Sequence, residues 1–295
     1  MLSKDSPVPP ETVFIWSHPR ALSTALLRSL AELPDAVTVL EPFMVPWQVD
    51  MGVYRGCESR QPNYKEVIDN LVTGHYLSSA TSTSPRKPPI QIVKDMPCHG
   101  GMALLEQVTA AFPEAKHVLL VRHPFTTIPS YLKVCVGGIY SNKERREDIS
   151  YTGLLKYAEH LSHKQQQEKQ PQDVEVPPLP AFLLMDADSL IRQPEQALRH
   201  LCKHIKAEYT PALLHWEANK PPKSWDNLAV FGNWMDNVIG SSGWVQKPGL
   251  TKQPARPAAK NGPTLQSELI DENMPVYECL LALAAKQEKQ QNPHN

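Results

Sequence analysis

Five short apolar runs alternate with stretches of helical period along this chain, and that alternation restricts the fold more than any other feature. The runs are Thr12–Trp16, Val37–Leu40, Ile90–Lys94, His117–Val121 and Ala181–Met185. Strands separated by helices predict an α/β fold with a central parallel sheet flanked by helices. After the first run, Leu26, Leu27 and Leu30 mark one helical face; after the fourth, Ile128, Tyr131, Leu132 and Cys135 do the same. After the fifth come Ala197, Leu198, Leu201, Cys202 and Ile205, the clearest amphipathic set in the chain. Pro194 suits the first turn of that helix and Glu195 its positive end. One more apolar helix is expected near Met274–Ala285.

Two segments break the rhythm. Residues 78–89 are rich in Ser, Thr and Pro, and residues 165–180 run from a Gln/Lys/Glu helix end into "VEVPPLP". Both read as variable surface loops, and residues 250–295 as a C-terminal extension. With 295 residues and 41% apolar content the chain can bury a large core, and the expectation is a single domain over 1–295. A net charge of -1 gives no overall basic field, so nucleic acid and anionic membranes are not expected partners. Any anion site must be local. The first residues, MLSKDSPVPPETVF, carry acids and prolines where a signal peptide has an apolar core, and no run approaches the roughly 18 apolar residues of a membrane span. The expected location is cytoplasmic. Five cysteines without CxxC spacing (Cys57, Cys98, Cys135, Cys202 and Cys279) indicate neither a disulfide framework nor a zinc site, and most are expected in the core.

In open sheets of this kind ligands sit at the carboxyl ends of strands, where helix N-termini present unpaired N–H groups that favour phosphate. The first such turn reads Ser17-His18-Pro19-Arg20-Ala21-Leu22-Ser23-Thr24. A Walker loop or a dinucleotide GxGxxG is excluded there, because the first glycine of the chain is Gly52. Ser23 and Thr24 can offer hydroxyl and backbone donors while Arg20 supplies charge, which suits a phosphate or sulfate oxygen. A plain helix cap with an exposed Arg is the alternative. The stretch "HVLLVRHPFTTIPSYLK" (His117–Lys133) repeats the scheme, with Arg122 at the strand end and Ser130 two turns into the next helix. Two such turns suggest a ligand with anionic groups at both ends.

These residues resemble the sulfotransferases that use 3′-phosphoadenosine 5′-phosphosulfate (PAPS). The opening turn is similar to their phosphosulfate-binding loop, Tyr-Pro-Lys-Ser-Gly-Thr-Thr, with Arg20 where the family has Lys and Ser23 and Thr24 where it has the paired Thr. Arg122 and Ser130 match the Arg and Ser that hold the 3′-phosphate. "WSHPRALSTA" (Trp16–Ala25), "LEPF" (Leu40–Phe43), "KDMPCH" (Lys94–His99) and "DADSLIRQPE" (Asp186–Glu195) resemble, in the same order, the motifs of a subgroup called sulfotransferase-like or branched-chain aminotransferase-like. The aminotransferase label has no support in the residues, since no lysine sits in a Schiff-base context for pyridoxal phosphate. The resemblance covers roughly residues 12–45, 90–135 and 180–245 and implies a P-loop NTPase-like sulfotransferase fold. It further implies a PAPS donor, the product 3′,5′-diphosphoadenosine, a small hydroxyl or amine acceptor and no metal. A homodimer is left open.

For the donor, the resemblance implies binding by Arg20, Ala21, Leu22, Ser23, Thr24, Ala25, Arg122 and Ser130, with Lys247 of "WVQKPG" in place of a late Arg-Lys-Gly segment. Arg20 is the expected electrostatic catalyst, because charge builds on the oxygen that stays with the nucleotide. Leu22 departs from the small residue of the usual loop, implying a different arrangement of backbone contacts. The usual catalytic His is replaced by Met96, and His99, three residues later, fits the His of the subgroup. His99 is therefore the expected base, with Asp95 either orienting it or acting itself. Lys94 either contacts the sulfuryl group or a substrate, or ends a strand. Glu41 either binds the acceptor or is an exposed strand-end carboxylate. Trp47 and Trp234 are candidates for the acceptor pocket, as are Tyr54, Trp225, Phe231 and Trp244, against the alternative that they are core. His18 reads as a turn residue without a role, and Asp186 as a structural cap. Two other functions fit the same residues: a nucleotide-binding module that has lost transfer, and an enzyme that reuses the anion turns for another phosphorylated or diphosphate substrate.

Overall fold

The computed structural model describes residues 9–54, 61–79, 89–135, 141–168, 182–225, 228–244 and 264–291. The chain begins with β1 (Thr12–Ser17), α1 (Ser23–Leu30), β2 (Ala36–Leu40), α2 (Met44–Asp50) and α3 (Tyr64–Val72). It continues through β3 (Ile90–Asp95), α4 (Gly101–Ala111), β4 (Lys116–Val121) and α5 (Pro124–Val134). Then follow α6 (Asn142–Ile149), α7 (Thr152–Glu168), β5 (Phe182–Asp186), α8 (Ala187–Arg192), α9 (Pro194–Ile205), α10 (Asp236–Ile239) and α11 (Leu265–Gln291).

The strands form one five-stranded sheet in the order β2-β3-β1-β4-β5. β2 pairs with β3 in parallel, Ala36 opposite Ile90 and Leu40 opposite Lys94, and β4 pairs in parallel with β5, His117 opposite Phe182 and Val121 opposite Asp186. All five strands read from the sequence are present, and the α/β fold with a parallel sheet flanked by helices is as expected. Several run one residue further, to Ser17, Asp95 and Asp186. Apolar periodicity stops at the first polar side chain, whereas the ladder bonds that define a strand run through the backbone whatever the side chain is. Those extra polar residues sit at carboxyl ends, where ligands of such sheets bind.

The chain divides into two compact units. The first comprises residues 1–15, 24–116 and 210–243. Phe14 meets Phe112 edge to face at 5.4 Å in its core, and buried polar groups there are paired: Trp225 Nε1 donates to Thr38 Oγ1 at 3.0 Å and Ser29 Oγ to the Leu213 carbonyl at 2.5 Å. Trp225 is thus a core residue. The second unit comprises residues 16–23, 117–209 and 244–295. Trp16 packs edge to face on Tyr157 at 5.1 Å, and α9 starts at Pro194 and buries Ala197, Leu198, Leu201, Cys202 and Ile205 on the expected face.

α11 is longer than the apolar stretch Met274–Ala285 because its buried stripe includes a polar residue. Leu269, Ile270, Tyr277 and Leu280 are buried along it together with Asn273, which accepts from the Tyr151 N–H at 2.9 Å and donates to the Leu269 carbonyl at 2.8 Å. Of the described cysteines, Cys135 and Cys202 are buried, Cys98 is half-buried and Cys279 is exposed, so the core expectation holds for two. Residues 80–88 and 169–181, most of the two loop segments, lie outside the described residues, as do Cys57 and Lys247. Among the described residues no helix is long and apolar enough to cross a membrane.

His117 is buried in the second unit, and its burial bears on acid stability. Its Nδ1 accepts from Trp16 Nε1 at 3.1 Å, and its carbonyl accepts from His204 Nε2 at 3.1 Å. Burial first, then the nearby Lys164, His204 and His160, push its pKa down to about 3 from 6.5. Between those two values the unfolded chain binds a proton that the folded chain refuses, so this contribution to stability is lost as pH falls through that window. His117→Gln should lower the denaturant midpoint at pH 7 but show a smaller further loss between pH 7 and pH 4.5 than the wild-type chain. An undiminished pH slope in the variant would assign the acid sensitivity elsewhere.

Candidate functional site

The turn after β1 lies at the strand where the sheet order changes direction, since β1 neighbours β3 on one side and β4 on the other. It has no glycine, yet Arg20 and Leu22 both adopt left-handed backbone, with φ of 64° and 63°. That conformation costs an L-residue roughly 1–2 kcal/mol. Leu22 therefore takes the backbone shape that normally calls for glycine. Strain of this kind persists where surrounding structure fixes it, and it clusters at binding sites. α1 then begins at Ser23, which is buried.

Within the second unit the two arginine turns meet. Arg122 Nη1 donates to the Arg20 carbonyl at 3.3 Å, and Arg20 Nε donates to Ser130 Oγ at 3.2 Å. Spacing paired Ser130 with Arg122; the structure gives it to Arg20 and gathers all three residues. Burial and the neighbouring Arg122 charge lower the pKa of Arg20. A guanidinium in that position gains from any anion placed beside it. Arg122 is held by Nε to Asp188 Oδ1 at 3.2 Å, with both side chains 13% exposed. One carboxylate against two guanidinium groups leaves this cluster net positive.

Sequence reasoning missed Asp188 and Tyr151 among the contributors to this cluster. Asp188 lies inside the quoted "DADSLIRQPE", and an acid just past a strand end was the available signal for an arginine partner. Tyr151 gave no signal: its hydroxyl donates to the Arg122 carbonyl at 2.7 Å from the start of a distant helix. Asp186 has the structural role expected of it. Its side chain accepts from the Asp188 N–H at 3.1 Å and pairs with Arg192, and its carbonyl accepts from Ser189 Oγ at 2.6 Å. Burial raises its pKa.

The first unit carries the other predicted residues. Lys94 and Asp95 end β3 on opposite faces, and each finds its own partner. Lys94 Nζ pairs with Glu41 Oε1, the side chains 2% and 4% exposed. Glu41 is thus a buried partner of Lys94 and no exposed strand-end carboxylate, and its own φ of 44° is strained. Asp95 Oδ1 accepts from His99 Nδ1 at 2.6 Å and from the Met96 N–H at 2.8 Å, while Oδ2 accepts from the Phe43 N–H at 2.9 Å. Both oxygens accept hydrogen bonds, one of them from the His99 ring. His99 belongs to a 3-10 turn, Pro97–His99, and is buried. The Trp47 ring on α2 lies 4.9 Å from the His99 ring, tilted by 36°. Tyr64 stacks on Phe43 at 6.3 Å, and burial with Asp50, Asp95 and Cys98 pushes its pKa up to about 12. Trp234 ends the 3-10 segment Leu228–Trp234 and is half-buried. Among the described residues no group of three His, Cys, Asp or Glu side chains is placed to hold a metal ion.

The second unit holds the paired arginine turns and the first unit the hydrogen-bonded imidazole of His99. Among curated proteins, the chain is 24% identical to branched-chain-amino-acid aminotransferase-like protein 2 of Arabidopsis thaliana over 271 residues, covering 92% of this chain and 41% of that protein. It is also 24% identical to protein 1 of the same name and organism over 272 residues, covering 92% of this chain and 42% of that protein. The chain thus spans about two fifths of the length of the curated relatives it matches. Among solved structures, the sulfotransferase domain from the Synechococcus PCC 7002 olefin synthase superposes with a TM-score of 0.55 at 19% identity, covering 95% of this chain and 98% of that one, which supports the fold. The sequence profile of the Sulfotransferase family matches residues 10–211, more than half of the chain, and so the chain belongs to the sulfotransferase family.

Proposed function

We propose that this chain, working as a single domain over residues 1–295, transfers a sulfuryl group from PAPS to a small hydroxyl or amine acceptor. The observation that carries the reading is the meeting of Arg20, Ser130 and Arg122 in one net-positive cluster, where burial first and then the charge of Arg122 lower the pKa of Arg20. Such a cluster fits a multiply charged anionic nucleotide. One further feature agrees with it. Ser17 Oγ is buried without a hydrogen-bond partner among the described residues at the end of β1.

PAPS, when bound, supplies an activated sulfuryl group on a leaving nucleotide phosphate. Arg20, with Ala21, Leu22, Ser23, Thr24 and Ala25, would hold the phosphosulfate end, and Arg122 with Ser130 the 3′-phosphate. Arg20 keeps its proton throughout and contributes charge alone. His99 donates Nδ1–H to Asp95, which leaves the lone pair on Nε2 to take the proton from the acceptor oxygen or nitrogen. Asp95 is a positioning residue in this scheme. Lys94, neutralised by Glu41, does not demand an anionic acceptor, and Trp47 beside His99 favours an apolar or aromatic one. Trp234 is assigned to the same acceptor.

Calorimetric titration with 3′,5′-diphosphoadenosine, with ADP as control, tests the nucleotide. Micromolar binding of the former and none of the latter is expected, with Arg122→Ala abolishing it in a folded chain; no binding to either compound by the wild type would overturn the reading. Once an acceptor is found, His99→Ala should lower kcat by about 10²–10⁴ with nucleotide affinity unchanged. Binding without turnover on any acceptor would favour a non-catalytic nucleotide module. The Lys94–Glu41 pair predicts a stability pattern: Lys94→Met alone leaves a buried carboxylate and should cost about 3–5 kcal/mol, while adding Glu41→Gln should recover part of that loss in chemical denaturation.

A further inference from the structure

His18 sits between the two arginine turns and makes a directed hydrogen bond to each. Its Nε2 lies 3.1 Å from the backbone nitrogen of Arg122, and its Nδ1 lies 2.9 Å from the Pro19 carbonyl oxygen. A backbone N–H can only donate and a carbonyl can only accept, so the two contacts demand one protonation state: Nε2 bare and Nδ1 protonated. The imidazole is therefore neutral in this geometry. Its plane is fixed as well, because the ring stacks on Tyr151 with centroids 3.9 Å apart and planes 14° apart. Tyr151 is in turn anchored to the same arginine, its hydroxyl donating to the Arg122 carbonyl at 2.7 Å. The backbone of Arg122 is thus gripped on both sides, N–H by His18 and C=O by Tyr151, while its side chain reaches back to the Arg20 carbonyl at 3.3 Å.

We infer that His18 is a positioning residue for the anion site: its Nδ1–H tautomer ties the Pro19-Arg20 turn to the backbone of Arg122 and so sets the spacing of the two guanidinium groups. The inference rests on the nucleotide reading of that site for its effect on affinity, and on the geometry alone for the tautomer. Two half-buried like charges repel, and without an internal tie the turns would relax apart in the absence of ligand. A bare acceptor nitrogen between them supplies the tie without adding a third positive charge. His18 touches no reacting atom in this scheme.

The test has two independent readouts on the full chain. The first is ¹⁵N–¹H NMR of the histidine rings at neutral pH, with the His18 signals assigned by their loss in His18→Gln. A neutral Nδ1–H ring is expected, and an Nε2–H ring or an imidazolium would overturn the inference. The second is calorimetric affinity for 3′,5′-diphosphoadenosine in His18→Phe, which keeps a flat ring against Tyr151 and removes both nitrogens, and in His18→Gln, which keeps one donor and one acceptor. Misplacing the arginines should weaken the Phe variant by about 10- to 100-fold, with partial rescue by Gln and little change in Tm between the two variants. A folded Phe variant that binds as tightly as wild type would overturn the inference. If the Phe variant does not fold, Gln with affinity reduced and Tm retained supports it, and Gln with affinity at the wild-type level and an Nε2–H ring in the wild type overturns it. Failure of the wild-type chain to bind the nucleotide would count against the proposed function alone, and the tautomer would still decide the role of His18.

Discussion

Two arginine side chains brought to one end of a sheet repel each other, and much of the local architecture of the second unit serves to keep them together. Burial and the charge of Arg122 depress the pKa of Arg20, and Asp188 pairs with Arg122. The tie through His18, the stacked Tyr151 and the reach of Arg122 to the Arg20 carbonyl hold the pair against that repulsion. A cluster held in this way keeps its positive charge in one place. Preorganised charge of that kind is worth most where water is excluded.

The first unit solves a different problem with the same sheet. Successive residues of a strand face opposite ways, yet Lys94 and Asp95 are both buried, because a strand inside a parallel sheet has both faces covered. Each charge must then be satisfied on its own face. Glu41 answers Lys94 on one face; His99 and the Met96 and Phe43 amides answer Asp95 on the other. The result is an imidazole of fixed orientation beside a neutralised lysine.

Backbone strain marks the segments where these constraints meet. Arg20, Leu22 and Glu41 are three of the described non-glycine residues with left-handed backbone, and all three lie just after strand ends. A glycine would adopt those shapes more easily, but at positions 20 and 41 the side chain carries a charge that is hydrogen-bonded or ion-paired in the structure. At position 22 the leucine keeps the turn without glycine, and the φ of 63° shows how a glycine-free sequence still forms it.

What the sequence determined by itself was the layer pattern and the identity of the polar residues at strand ends. Apolar runs buried on two faces and helices with one apolar stripe each follow from local periodicity, so β1 to β5 and α9 were legible. Arg20, Arg122, Lys94, Asp95, Glu41 and His99 stood out in the sequence as polar residues at or after the ends of apolar runs. The tertiary structure decided who pairs with whom. Ser130 bonds to Arg20, Asp188 holds Arg122, Lys94 takes Glu41, and His18, which read as an idle turn residue, bridges two segments 104 positions apart. Those partners are set by which strand ends the sheet order places side by side, and no local pattern along one chain encodes that neighbourhood.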